Sequence, residues 1–462
     1  MKKLIYLAAA LWLSGTLSAQ LRPTDKTGIN VFETPKTHVE FTAPHVSFGA
    51  SIAMPYIALK QSNNVVANVA STTDATKTIA NPQTLFKNSS NFALSQANLY
   101  INSYLADGVT LNLTLYLASK HHNETWVKGG YVQFDKVPFL KLDLLDKIMQ
   151  YTTVKLGQME VNYGDAHFRR SDGGNAIYNP FMENYIMDEF ATEIGAEADV
   201  NYNGIVGVAA ITNGNLNPSL AYIDTTQATY KYSNGLHNPS WILKLGYDKQ
   251  FTDKFRARLT GSVYTTAGSL SNTLFGGDRT GSNYSAVMYN AAPGTSTAFN
   301  GRYNPGLSDK LTTFMGNLFL RYKPMDMLVV ESFTTIESAK GRTAAEKNER
   351  TANQFATDVV LRFGHNENFF AGARYNTLSA DVAASAKVTT VSGAYTYVTQ
   401  DAWPAYTIKI NRIAISGGWF MTKNIMAKVE WVKQKYTDVP NVNYIFNGAQ
   451  FQGLTAEAII SF

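Results

Sequence analysis

Residues 109–119 read VTLNLTLYLAS, and their alternation constrains the fold more than any other feature of the chain. Val109, Leu111, Leu113, Leu115 and Leu117 take every second place, with Thr110, Asn112, Thr114, Tyr116 and Ala118 between them. That is the period of a β-strand whose two faces meet different surroundings. The pattern reads the same for a soluble sandwich with a dry core as for a wall with lipid outside and a wet interior. The rest of the chain decides between them.

Read for period two, the sequence gives about sixteen such segments. ANLYINSYL, EIGAEADVNY, SWILKLGYDK, KFRARLTGSVY, GNLFLRYK, ATDVVLRF, FFAGARYN, IAISGGWF, NIMAKVEW and LTAEAIISF are among them. Each is close to the nine to eleven residues, roughly, that a tilted strand needs to cross a bilayer. The links between them alternate. ADG (106–108), NG (203–204), FTD (251–253), PMD (324–326), HNEN (365–368) and TKN (422–424) are tight turns, and long polar stretches such as 60–91, 163–189, 215–239, 267–309 and 378–405 lie between them. A soluble sandwich has no reason to sort its loops this way, whereas an outer-membrane barrel has short periplasmic turns and long extracellular loops. The exception is 135–150, where Leu140, Leu144 and Ile148 share one helical face, so a small periplasmic helix is expected there.

The turn ends of the strands give a second test. On the apolar parity, at the short-turn end, stand Tyr202, Tyr247, Phe255, Tyr322, Phe363, Phe369, Trp419 and Phe462. Aromatics on one face and at one end form the girdle expected where a lipid-facing wall meets water.

The amino terminus, MKKLIYLAAALWLSGTLSAQ, has two lysines, a short apolar run and small residues, the layout of a secretory signal peptide over 1–19. Beyond it no run of eighteen apolar residues suggests a helical span. The chain has no cysteine, hence no disulfide framework or thiolate metal site. A net charge of +5 without a Lys/Arg run gives no sign of nucleic-acid binding. The expected organisation is a signal peptide at 1–19, a periplasmic or lumenal segment at 20–44 and an all-β, transmembrane antiparallel β-barrel at 45–462. The leucines of VTLNLTLYLAS then face outer-membrane lipid, and Thr110, Asn112, Thr114 and Tyr116 face a lumen too wide for wall side chains to fill, with a water channel as its default content.

The last strand, LTAEAIISF, resembles the terminal strand of bacterial outer-membrane porins, in which the final aromatic is part of the assembly signal. VKLGQMEVNYG (154–164), followed by a long loop, resembles the strand that leads into the constriction loop of the phosphate-selective porin O/P family, Bacteroidetes-like in its signal end and Tyr/Asn-rich loops. The resemblance implies sixteen strands, a homotrimer and a third loop folded into the pore.

Inward parity collects charge unequally. Arg256, Arg258, Arg321, Lys323, Arg362, Arg374 and Arg412 form a basic arc, and Glu193, Glu197 and Asp199 an acidic face on the sixth strand. Opposed charges across a pore set up a transverse field, and rings of Arg or Lys favour anions. The alternative is that these charges pair with Asp358 and Glu331 on neighbouring strands. The third long loop, 164–190, is the constriction candidate: Phe168, Tyr178, Phe181, Met182, Tyr185 and Met187 need a surface to bury against. Folding inward would bring Arg169, Arg170, Asp172 and Glu183 into the pore, with DGGN (172–175) as a turn. The alternative for this loop is trimer contact.

The seven histidines have no clear catalytic partner and no phosphate-cradling loop or zinc-spaced cluster is present, so neither enzyme chemistry nor a cofactor is expected. The expected function is passive diffusion of small hydrophilic solutes, with a modest preference for anions. The competing reading is a loop-plugged barrel that serves as a structural or secretion-machinery partner.

Overall fold

The structure, a computed structural model, describes residues 26–29, 33, 36, 41–93, 95–117, 125–170, 175–216, 221–224, 229–232, 238–269, 272–275, 287–288, 301–343, 345–440 and 443–462. The signal-peptide reading over 1–19, and Asp172, lie outside them.

Sixteen long strands close into one antiparallel barrel. They are β1 His45–Ser62, β2 Gln96–Ala106, β3 Val109–Leu117, β4 Trp126–Phe134, β5 Thr152–Glu160, β6 Thr192–Tyr202, β7 Ile205–Thr212 and β8 Ser240–Thr252. The second half consists of β9 Phe255–Thr266, β10 Asp309–Met325, β11 Leu328–Arg342, β12 Arg350–Phe363, β13 Phe369–Val382, β14 Tyr406–Phe420, β15 Ile425–Thr437 and β16 Gln450–Ser461. Each pairs with its sequence neighbours, and β1 closes the ring by pairing with β16 in register from Ser51↔Ser461 to Ser62↔Gln450. Closure leaves no open edge, so the backbone polar groups of the wall are satisfied within it.

Outward positions are apolar and exposed, as at Leu243, Leu245, Leu259, Ile336, Ile413 and Ile415. Inward positions are buried almost throughout. At the periplasmic rim Tyr202, Tyr247, Tyr322, Phe363, Phe369, Trp419 and Phe462 point out, and Phe363, Phe369 and Trp419 stack in a row at 5.8 and 6.0 Å. The turns there are tight. Asn203 and Gly204 both take positive φ (49° and 89°), which is why Asn-Gly joins β6 to β7.

Residues 135–150 form a 3-10 turn, Pro138–Leu140, and then a helix, α1 Asp143–Met149. Leu140 therefore belongs to the turn and not to the helix, because Pro138 opens a separate element. Phe139, Leu140, Leu144 and Ile148 are exposed beside the aromatic girdle.

Phe462 exchanges backbone hydrogen bonds with Ala50, both at 2.9 Å, and lays its ring on the lipid side. It thus completes the β1–β16 seam. Replacing Phe462 with Ala keeps those bonds but removes the ring from the girdle. The expected result is less folded, heat-modifiable protein in the outer membrane, read by unheated against heated gel mobility. Unchanged mobility and yield would remove this role.

Candidate functional site

The third extracellular loop joins β5 to β6, and its described residues lie inside the barrel. Its inward turn starts at Gly164, where φ is +67° and a Cβ would stand 2.1 Å from Met315 Sδ. Glycine takes that left-handed conformation without strain. Lys244 Nζ donates to the Gly164 carbonyl (2.7 Å) and to Asn162 Oδ1 (2.6 Å). Asp165 then pins the chain to β9 and β10. It accepts from Arg258 Nε (2.8 Å) and Thr260 Oγ1 (2.7 Å), and its own N–H donates to Asn317 Oδ1 (2.8 Å).

Further along, wall side chains replace the strand partner that the loop backbone lacks. Lys428 Nζ donates to the carbonyls of Ala176 (2.9 Å), Asn179 (3.0 Å) and Phe181 (3.1 Å). Glu430 accepts from the N–H groups of Met182 and Glu183. Asn376 and Gln354 accept from those of Ile186 (2.7 Å) and Met187 (2.8 Å). Phe181, Ile186 and Met187 are fully buried among apolar inward residues such as Phe333, Val360, Leu378 and Ile410. These contacts hold the loop to β8–β15, and on the other flank Lys128 of β4 lies over the ring of Phe190 at 4.8 Å.

From the amino-terminal segment, Glu33 also reaches the lumen. Glu33 is buried between Lys244 (2.7 Å) and Arg258, while Lys26 and Lys36 donate to the turn residue Asn366 and to Asp135 respectively.

The basic arc is present on the inward face, but not as an unpaired field. Arg256 is held bidentately by Asp248 (2.9 and 2.8 Å), and Arg258 by Asp165 and Glu33. Arg362 donates to Glu331 (2.8 Å), which also faces Arg321 (3.5 Å), and Lys323 faces Asp326 (3.4 Å). Arg374 grips Asp358 at 2.7 and 2.8 Å, and Arg412 donates to Gln434 (2.7 Å) and lies 3.7 Å from Glu183. The acidic face is answered likewise: Lys155 meets both Glu197 and Asp199 at 2.7 Å, and Glu193 accepts from Tyr264 (3.0 Å) and Thr212. Carboxylates cluster with the cations because a desolvated charge is costly unless paired.

The adjacent arginines of the loop do different things. Arg169 donates to Glu331 (3.0 Å) between the rings of Phe319 and Phe333. Arg170 is bidentate to Asp188 within the loop itself (2.7 and 2.8 Å) and sits over Phe190. Neither is a free cation in a water-filled constriction. Sequence reading missed Lys155, Lys244 and Lys428, all buried on the inward face. Their inward parity, as in Leu243–Lys244–Leu245, was the available signal. Glu33 and Asp165 carried no periodic signal at all.

The facing wall is of another character. The inward positions of β2 are Gln96, Asn98, Tyr100, Asn102 and Tyr104, and those of β3 are Thr110, Asn112, Thr114 and Tyr116. All are neutral and polar, and apart from Tyr100, Tyr104 and Thr114 they are buried. Asn98 Oδ1 and Asn112 Nδ2 have no hydrogen-bond partner among the described residues. Polar atoms of this kind are satisfied by water. Among the described residues no group of three His, Cys, Asp or Glu is placed to hold a metal ion.

No protein-family model matches the chain, and no curated protein matches it. Among solved structures it is similar to OmpT of Vibrio cholerae, at 9% identity over 92% of this chain and 99% of that one, with a TM-score of 0.46. It is similar to the outer membrane channel DcaP of Acinetobacter baumannii, at 12% identity over 91% and 97% with a TM-score of 0.45. An anion-selective porin from Comamonas acidovorans matches at 9% identity over 91% and 100%, with a TM-score of 0.47. The closed wall, its apolar outer face and its aromatic rim make this chain a multi-pass β-barrel of the bacterial outer membrane.

Proposed function

We propose that the protein is a narrow diffusion channel for small hydrophilic solutes, with its path running along β2 and β3. The observation that supports this is the asymmetry of the lumen. The third loop is bonded to β8–β15, while β2 and β3 present an uncharged wall of amides and hydroxyls. A solute on that side meets hydrogen-bonding groups without having to break an ion pair.

The same geometry bears on the selectivity proposed here. Because Arg169, Arg170 and most of the arc are paired, a specific phosphate site is not favoured, despite the resemblance to phosphate-selective porins. Arg321, which is paired with Glu331 and Glu367, and Lys323, which faces Asp326, are the part of the arc that stays about a quarter to a third exposed, at the periplasmic mouth. They give a modest anion preference that falls as salt rises, since screening sets in over roughly 8 Å at physiological ionic strength. Assembly as a homotrimer belongs to the same proposal and is read by mass in detergent.

Liposomes carrying the purified protein should swell in gradients of small sugars and amino acids, with rates dropping steeply as solute size increases. The burial of the described loop residues favours a second reading, a plugged barrel with a structural or secretion-machinery role. Absence of swelling with every solute would install that reading instead.

A further inference from the structure

The outward face of β15, β16 and β1 carries charge at one end only. In register from the membrane outwards, Trp431, Leu454 and Ala58 form one row, Lys433, Gln452 and Lys60 the next, and Lys435, Gln450 and Ser62 the last. These rows lie at the extracellular ends of the strands, opposite the rim of Phe462. No Asp or Glu occupies an outward position on the three strands; Glu430 and Glu457 face the lumen and are buried. Lys60, Lys433 and Lys435 have no hydrogen bond or ion pair among the described residues. Lys409 on β14, by contrast, is paired with Asp438 at 2.9 Å.

Three unpaired lysines on a lipid-facing wall, just above Trp431 and Leu454, stand where acyl chains give way to headgroups. Strand spacing puts the Cα atoms of Lys433 and Lys60 about 10 Å apart and those of Lys433 and Lys435 about 7 Å apart. Flexible lysine stems can close those gaps onto one anion, with Gln452 between them as an amide donor. We propose that Lys60, Lys433, Lys435 and Gln452 form a site for the phosphate group of an outer-leaflet glycolipid, whose acyl chains would lie against Trp431 and Leu454. Charge complementarity selects the phosphate, and the apolar rows beneath select a lipid-borne one over a free anion. The site stands independently of the channel reading, because it uses only outward-facing residues.

The experiment is native mass spectrometry of the full-length protein in detergent, titrated with diphosphorylated lipid A. The wild type should retain one lipid, and the triple variant K60Q/K433Q/K435Q should bind at least tenfold more weakly. Gel mobility of the unheated variant checks folding, and the single variant K433E supplies the same reading if the triple variant assembles poorly. Inorganic phosphate at equal concentration should not displace the lipid, and lipid A stripped of its phosphates should not be retained. Equal binding by wild type and the variants, retention of the dephosphorylated lipid, or displacement by inorganic phosphate would each overturn the assignment.

Discussion

Removing residues 166–188 should raise single-channel conductance several-fold while the barrel still assembles. The wall owes its closure to strand–strand hydrogen bonds, none of which the deleted segment supplies. The β5–β6 ladder, from Thr152↔Val200 to Glu160↔Thr192, remains to join the shortened link. What is lost is the filling of the lumen on the β8–β15 side. A sixteen-stranded ring without it is far wider than its own side chains can fill. The segment carries two arginines and three carboxylates, so its loss also leaves the lumen more positive. Reversal potentials should therefore move towards anions as conductance rises. The apolar inward residues left facing water, Phe333 and Leu378 among them, should lower the unfolding temperature of the barrel. Unchanged conductance in a folded deletion variant would mean that the loop does not limit the path.

The second large effect is expected at Arg374. Its guanidinium grips Asp358 on β12, donates to the Glu183 carbonyl (2.7 Å), and packs on the rings of Phe181 (4.1 Å) and Tyr185 (4.4 Å). It ties two strands and the loop together. Arg374→Ala leaves the buried Asp358 carboxylate facing Tyr185 and, at 3.9 Å, Arg169. Breaking a buried pair in this way costs about 3–5 kcal/mol. Urea unfolding of the protein in detergent should show a loss of that order, and current recordings should become noisier as the loop loosens. Replacing both partners with apolar residues, R374M/D358L, should recover most of the stability, since no charge is then left alone. If the single variant is as stable as wild type, the pair is not the tie described here.

The barrel was legible in the sequence because lipid leaves it little choice. An outward residue within the acyl-chain zone must be apolar, so the parity of β3, β8 or β15 survives as a written alternation, and turn chemistry such as Asn203-Gly204 marks the periplasmic end. The inward parity of Arg256, Arg362 and Arg374 was legible for the same reason. Their partners were not. Arg169 meets Glu331 across 162 positions and Lys244 meets Glu33 across 211, and no local pattern encodes such distances. The loop's apolar content signalled a need for burial, yet the side of the lumen it would take follows from Asp165, Lys428 and Gln354, whose pairings exist only once the ring is closed. Pro138 likewise divided a run that reads as one helix.

The most direct test of a path along β2 and β3 uses the absence of cysteine from the chain, which makes any introduced thiol unique. Asn112→Cys on β3 and Thr335→Cys on β11 would be recorded in planar bilayers before and after a charged methanethiosulfonate reagent. Asn112 is only 8% exposed on the polar wall, whereas Thr335 is fully buried on the loop side, where it accepts from Asn317 (2.9 Å). The account predicts small, stable current steps that the reagent blocks in Asn112→Cys and leaves unchanged in Thr335→Cys. Block at Thr335→Cys with none at Asn112→Cys, or bilayers that stay silent for wild type and both variants, would contradict it.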